Sequence, residues 1–329
     1  MKKTALEECF AVKGVEELTP QLLMLREFRQ NEQKLHDLAD IRLKAMDEGD
    51  IEISVLSATS PSIQGLKDPD IEVETAQAWN DYLARAVGKR KDRLYAFACL
   101  PMRYPNAAID ELRRAVKELG FVGALVNGYD DAGGLPPVYY DAPEYLDFWK
   151  AAEAMDVPVY IHPRTVPDDR DTTYKPYPEL KSASWGFHIE TAEHILRLII
   201  SGLFDKTPGL KIIVGHMGEM LPFWSWRIDH RIKREGWDGE VAAKNGRPRE
   251  LSVTEYLRRN IYVTTSGVFY TPALDHALAV MGPDHIMYSV DYPYEDYREA
   301  NEWFDTLEYA PDVLHAIAGG NAKRLLKLR

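Results

Sequence analysis

Short apolar runs of four to seven residues recur along the chain, at 4–10, 51–57, 94–100, 121–126, 157–161, 210–214, 261–264 and 286–290. Most are continuous rather than alternating, as expected of parallel strands buried on both faces. Between them Leu, Ile, Met and Ala return every three or four positions. That spacing predicts helices over 19–33, 34–48, 72–88, 107–119, 143–155, 188–204, 220–234 and 271–281, with two or three more after the last strand. Eight strands, each followed by helix, predict an α/β fold: a (β/α)8 TIM barrel rather than an open doubly wound sheet. No change of composition and no internal repeat divides the chain. Residues 1–329 therefore read as a single barrel domain with loop insertions at 129–141, 164–181 and 236–249. The loop at 164–181 is long enough to be expected over a site.

Composition narrows the function. The net charge is −12 and the charges are dispersed. The densest basic cluster, Lys89-Arg90-Lys91, reads as a solvated helix end, so a nucleic-acid surface is not expected. Cys9 and Cys99 are the only cysteines, too few for a disulfide scaffold and suited to a reducing compartment. No apolar run is long enough to span a membrane, and Glu7 and Glu8 interrupt any signal-like segment, so a cytoplasmic location is expected.

In such a barrel the chemistry lies at the C-terminal ends of the strands. Those ends carry Glu7 and Cys9, Asn127, His162, His216, Thr265 and Ser266, and Asp291. Taken singly, Asp291 reads as a turn or cap residue and either histidine as a hydrogen-bonded structural group. Taken together, a Glu, a His and an Asp converging from separate strands suit one divalent cation with positions left open for substrate. Residues 7 and 9 share a strand face, so Cys9 points where a ligand would. Its thiolate would favour zinc; the alternative is a small buried thiol filling space.

The segments Ala5-Leu-Glu-Glu-Cys-Phe10, Tyr160-Ile-His-Pro163, Val214-Gly-His-Met-Gly-Glu-Met-Leu-Pro222, Trp226-Arg-Ile-Asp229, Val263-Thr-Thr-Ser-Gly267 and Tyr288-Ser-Val-Asp-Tyr-Pro293 carry a resemblance along essentially the whole chain. It resembles the metal-dependent amidohydrolase superfamily, in particular the nonoxidative aromatic decarboxylases acting on γ-resorcylate, 2,3-dihydroxybenzoate, salicylate or 5-carboxyvanillate. The resemblance implies decarboxylation of an ortho-hydroxy aromatic acid to a phenol and CO2, reversible at high bicarbonate. It implies one divalent metal (Zn2+ or Mn2+, with Mg2+ as a further option) held by Glu7, His162 and Asp291, with His216 as ligand or neighbour and Glu219 hydrogen-bonded nearby. Asp291 is then the proton donor, with His216 and Glu219 as an alternative relay. Arg227 and Arg42 match arginines that hold substrate in some members; the residue reading of Arg227 is an ion pair with Asp229 or Glu219, and of Arg42 a helix-surface charge. Asn127, Phe187, Tyr292, Trp185, Trp224 and Tyr294 are candidates to line the pocket. Cys9 departs from the family, whose members carry His or Ala there. Two rivals remain: a lactone or amide hydrolase of the same superfamily, and a barrel retained only for binding. The resemblance also implies a homodimer or homotetramer, with the Trp-rich helix after Glu219 as a candidate interface.

Overall fold

The computed structural model describes residues 1–20, 22, 26–167 and 170–328. Its strands are β1 (Lys3–Phe10), β2 (Ile51–Ala58), β3 (Leu94–Ala96), β4 (Ala124–Asn127), β5 (Val159–His162), β6 (Ile212–Val214), β7 (Ile261–Thr264) and β8 (Ile286–Met287). All pair in parallel and in chain order, as β1-β2-β3 and β4-β5-β6-β7-β8. A parallel bridge from Ala98 to Ala124 joins the two sheets. The seam between β8 and β1 is closed differently. Cys9 N–H donates to the Tyr292 carbonyl at 2.7 Å, and the buried Glu8 carboxylate accepts from the Val290 and Tyr292 amides, each at 3.2 Å. The result is a (β/α)8 barrel of the TIM type.

Two apolar layers follow from strand parity. Leu6, Val55, Phe97, Leu125, Tyr160, Ile213 and Met287 point inward and fill the barrel floor. Residues such as Ala5, Phe10, Leu56, Val126, Ile161, Val214 and Val263 point outward to the helices. Filling one inward layer with side chains from nearly every strand leaves the polar positions above it as the floor of a site. A register shift in β1 between Ala5 and Glu8 lets both Leu6 and Glu7 face inward, while Glu8 turns to the seam.

Several elements are shorter than their apolar runs. The expected β8, 286–290, ends at Met287 because the next amides leave the sheet: Tyr288 N–H goes to the Ile317 carbonyl at 2.8 Å, Ser289 N–H to Thr265 Oγ1 at 3.0 Å and Val290 N–H to Glu8. The break expected between 33 and 34 falls instead at 37–39, between the helices Arg26–His36 and Asp40–Glu48. Asp37 Oδ1 breaks the run by accepting the amides of Ala39, Ile41 and Arg42. The helix expected over 19–33 lies partly outside the described residues. The one expected over 188–204 divides at Gly202, whose φ of 75° ends the helix Gly186–Ile200. Among the described residues no helix is long and apolar enough to cross a membrane.

Candidate active site

Glu7 is the centre of the site and is completely buried. Its Oε2 accepts hydrogen bonds from Tyr160 Oη, Ser266 Oγ and, at 3.3 Å, Thr264 Oγ1. Those three donors hold the carboxylate so that Oε1 faces the cavity, where it has no hydrogen-bond partner. The end of β6 passes so close that a Cβ on Gly215 would sit 2.8 Å from Glu7 Oε2, which makes glycine obligatory there.

His162 closes β5 beside Asn127, its register partner at the end of β4. The His162 Nδ1–H donates to the Pro163 carbonyl at 2.8 Å, so in the neutral ring Nε2 carries a lone pair. That lone pair lies 3.1 Å from Glu7 Oε1. Two acceptors at this distance repel unless a proton or a metal cation sits between them. His216 repeats the device. Its Nδ1 bonds Glu219 Oε1 at 2.6 Å, which leaves Nε2 at 3.6 Å from Asp291 Oδ2 and 3.8 Å from Glu7 Oε1.

His216 is held there by an unusual turn. His216, Met217, Gly218, Glu219 and Met220 all have positive φ, between 48° and 84°. Left-handed backbone costs a non-glycine residue about 1–2 kcal/mol, so this one turn stores strain at the mouth of the barrel. The turn brings Glu219 back onto the imidazole of the residue three positions earlier. Asp291, at φ 81°, is a further residue in this region, fixed by the bonds that flank it at Val290 and Tyr292.

The charges of the cluster are interlocked. Burial pushes the Glu7 carboxyl up, but His216 and His162 outweigh it and hold it down at about 2. Burial disfavours the His216 imidazolium, yet Glu219, Glu7 and Asp291 keep it well above its ordinary range. Burial raises Asp291 to about 6 despite its contact with His216. For Cys9, burial first and then Asp291 and Glu7 push the thiol up.

The sequence-predicted residues sort as follows. Glu7, His162, His216, Glu219 and Asp291 come together. Cys9 joins them, its Sγ 4.0 Å from Asp291 Oδ1. Asn127 stands at the rim, buried, with both side-chain amide atoms unpartnered. Arg42 is a correction: it is fully buried, not on a helix surface, and donates to the Cys9 and Asp37 carbonyls while packing over the Tyr292 ring. Tyr292 is stacked on Tyr297 at 4.5 Å, on that same side of β1. Both meet the cluster only at the backbone of Cys9, and neither side chain bonds a side chain of the cluster. Arg227 is a further correction. It is exposed and forms no ion pair among the described residues, since Asp229 instead caps the helix Val253–Asn260 through the Val253 and Thr254 amides. Trp185 and Trp224 are exposed, Phe187 is half-buried, and Tyr294 bonds Thr59 Oγ1. A groove of about 730 Å³ between outer helices, lined by Trp149, Arg197 and Arg247, contains none of the cluster residues.

Three participants escaped sequence reasoning. Tyr160 and Thr264 hold Glu7, and Tyr160 was findable by parity, two positions before His162 on the same strand face. His188, whose Nδ1 bonds Glu219 Oε2, arrives from the first turn of the helix Gly186–Ile200, with no local signal to mark it.

The arrangement has relatives. The family pattern described as Amidohydrolase matches residues 27–328. The γ-resorcylate decarboxylase of Rhodococcus jostii is 41% identical over 99% of this chain and 98% of its own length. A crystal structure of 2,6-dihydroxybenzoate decarboxylase complexed with 2,6-dihydroxybenzoate superposes with a TM-score of 0.92 at 42% identity, covering 100% of this chain and 99% of that one. A dihydroxybenzoic acid decarboxylase from Polaromonas, with bound manganese and the inhibitor 2-nitroresorcinol, gives 0.91 at 41% identity, covering 99% of this chain and 97% of its own. By sequence and by fold, this chain belongs to the amidohydrolase family.

Proposed function

We propose that the protein is a metal-dependent carboxy-lyase that removes CO2 from an ortho-hydroxybenzoate, of the 2,6-dihydroxy pattern carried by its relatives' substrates. The observation that carries this reading is the buried, unpartnered Glu7 Oε1 facing the His162 Nε2 lone pair, a gap suited to a divalent cation. Glu7, His162 and Asp291 would hold the metal, and manganese in the Polaromonas relative supports the fit. Bound there, such a metal supplies Lewis acidity that favours the phenolate form of a ring hydroxyl.

The chain's own residues do the rest. Asp291 stands at the cavity edge and delivers a proton to the ring carbon that bears the carboxylate. The bond to the carboxylate then breaks, its electron pair restores the aromatic ring, and CO2 leaves. His216 Nε2, facing Asp291 Oδ2, returns a proton to it, and Glu219 fixes the imidazole through Nδ1. His188 holds the other oxygen of Glu219, so that carboxylate cannot rotate away. The buried, unpartnered Asn127 amide supports a role in bonding a ring hydroxyl. The hydrolase alternative has no relative among these to support it.

Exposed Phe223, Trp224 and Trp226 form an apolar face on the helix Leu221–Arg234 and support assembly of a single-domain protomer into a dimer or tetramer. Sparse cysteine supports a cytoplasmic setting. The test is turnover of a panel of 2,6-dihydroxybenzoate, 2,3-dihydroxybenzoate, salicylate and 5-carboxyvanillate, with CO2 measured directly. One ortho-hydroxy acid should be consumed, and dialysis against a chelator should abolish that turnover until a divalent metal is restored. A metal-loaded protein that releases CO2 from none of them would end the carboxy-lyase reading.

A further inference from the structure

Resting on the metal site proposed above, we infer that Cys9 is itself a ligand, so that this centre has a mixed sulfur, nitrogen and oxygen donor set. Cys9 Sγ, a His162 ring nitrogen and an Asp291 carboxylate oxygen lie within 4.8 Å of one another. With Glu7 and His216 they border one space, the two Asp291 oxygens facing Cys9 and His216 respectively. Around that space Cys9 stands 4.0 Å from Asp291, Asp291 3.6 Å from His216, His216 3.8 Å from Glu7 and Glu7 3.1 Å from His162. Metal–ligand bonds of about 2.0–2.3 Å place adjacent donors roughly 3–4 Å apart. Most of these separations already fall in that range, with the Cys9, His162 and Asp291 donors within 4.8 Å of one another.

Two independent features point the same way. Glu7 Oε1, completely buried and without a hydrogen-bond partner, looks into this space, which suits it to a cation. Cys9 is also held from both sides of its backbone. Its N–H donates to the Tyr292 carbonyl, and its carbonyl accepts from Arg42 Nη2. That clamp fixes the direction of the thiol before any ion arrives, the preorganisation expected of a ligand. It also gives the buried Arg42 and the seam a purpose beyond closure.

A thiolate is a soft ligand. It selects zinc and other thiophilic ions over manganese, which prefers oxygen and nitrogen donors. The chain has one other cysteine, Cys99, buried elsewhere and bonded through its backbone to Asn80, so any metal–sulfur signal is assignable. The experiment is titration of the metal-free full-length protein with Co2+, followed by absorbance and by metal analysis. The native protein and Cys99→Ala should bind one Co2+ per chain and show a near-ultraviolet thiolate-to-cobalt charge-transfer band. Cys9→Ala and the closer isostere Cys9→Ser should still bind Co2+ but lose the band. Zinc affinity should fall at least about tenfold in Cys9→Ala, the cost of losing even an outer-shell partner, with Mn2+ affinity changed far less. Stoichiometric Co2+ binding by the native protein without the band, or a band that survives in Cys9→Ala, overturns the assignment and leaves the metal site standing. Failure of the native protein to bind Co2+, Zn2+ or Mn2+ overturns both.

Discussion

Two buried acid clusters stand at the same end of this barrel and differ in what neutralises them. In one, Glu72 and Asp130 are fully buried beside Arg103. The guanidinium donates from Nε to Asp130 Oδ1 and from Nη2 to the Asp130 carbonyl, both at 2.8 Å, and the Arg103 amide donates to Glu72 Oε1 at 3.2 Å. Arginine stays charged at any accessible pH and brings a fork of donors. One positive charge serves two acids, and the remaining negative charge is removed by a proton held between the carboxyls: burial and the neighbouring Asp130 raise Glu72 to about 9. In the other cluster Glu7, Asp291 and Glu219 meet imidazoles whose second nitrogens are already spent on Pro163 and Glu219. In the neutral rings lone pairs there would face carboxylate oxygens, and against the effect of burial the surrounding acids favour an extra proton on His216. The first cluster is completed by its arginine and one proton for the otherwise unpartnered Glu72 Oε2 and Asp130 Oδ2. The second is complete only with a cation or with extra protons, and that incompleteness is what supports reading it as the reaction centre.

Substitutions should separate the two. The largest expected effect is on turnover from Asp291→Asn, which keeps the shape but not the transferable proton. It should lower kcat by roughly 10²–10⁴-fold, the usual contribution of a positioned acid, with an unchanged circular dichroism spectrum. Near-normal kcat would remove Asp291 from the chemistry. Next is Arg103→Leu, which leaves two buried acids with no cation. Breaking such a pair costs about 3–5 kcal/mol, to be read as a lower urea midpoint, while kcat per folded molecule stays within a small factor. A loss of kcat without a loss of stability would place Arg103 with the reaction centre instead.

The last contrast is in pH dependence. The Glu72 carboxyl is raised in the folded protein, from 4.5 to about 9. Its contribution to stability is therefore full below about pH 4.5 and is lost progressively as pH rises toward 9, because the unfolded chain releases the proton first. Glu72→Gln, which mimics the protonated form, should flatten the urea-stability profile across that window. The reaction's pH profile should not move with it. A native profile that rises with pH over the same range would refute the shared proton.

Much of this was legible in one dimension. Continuous apolar runs can be buried on both faces only in a parallel sheet covered by helices, so eight of them placed the fold. Strand ends then pointed to Glu7, His162, His216 and Asp291, since a strand's last inward residue in such a barrel must face the site. Less legible were residues whose role depends on a partner far away in sequence. Arg42 looked like a surface charge because a helix of that composition says nothing of what packs over it; Tyr292 and the Cys9 carbonyl decide its burial. Arg227 looked engaged because Asp229 is near in sequence, but Asp229 is taken by the helix that begins at Val253.

The sequence by itself determined the strand count, the parallel barrel, and the identity of the donors at its mouth, because these rest on local periodicity and on residue chemistry. Only the tertiary structure decided which atoms of those donors are free. Tyr160, Thr264 and Ser266 turn Glu7, Pro163 turns His162, and a left-handed turn with His188 and Glu219 turns His216. Hydrogen bonds are short-ranged and directional, so the direction of a lone pair is set by neighbours that only the closed barrel brings within reach.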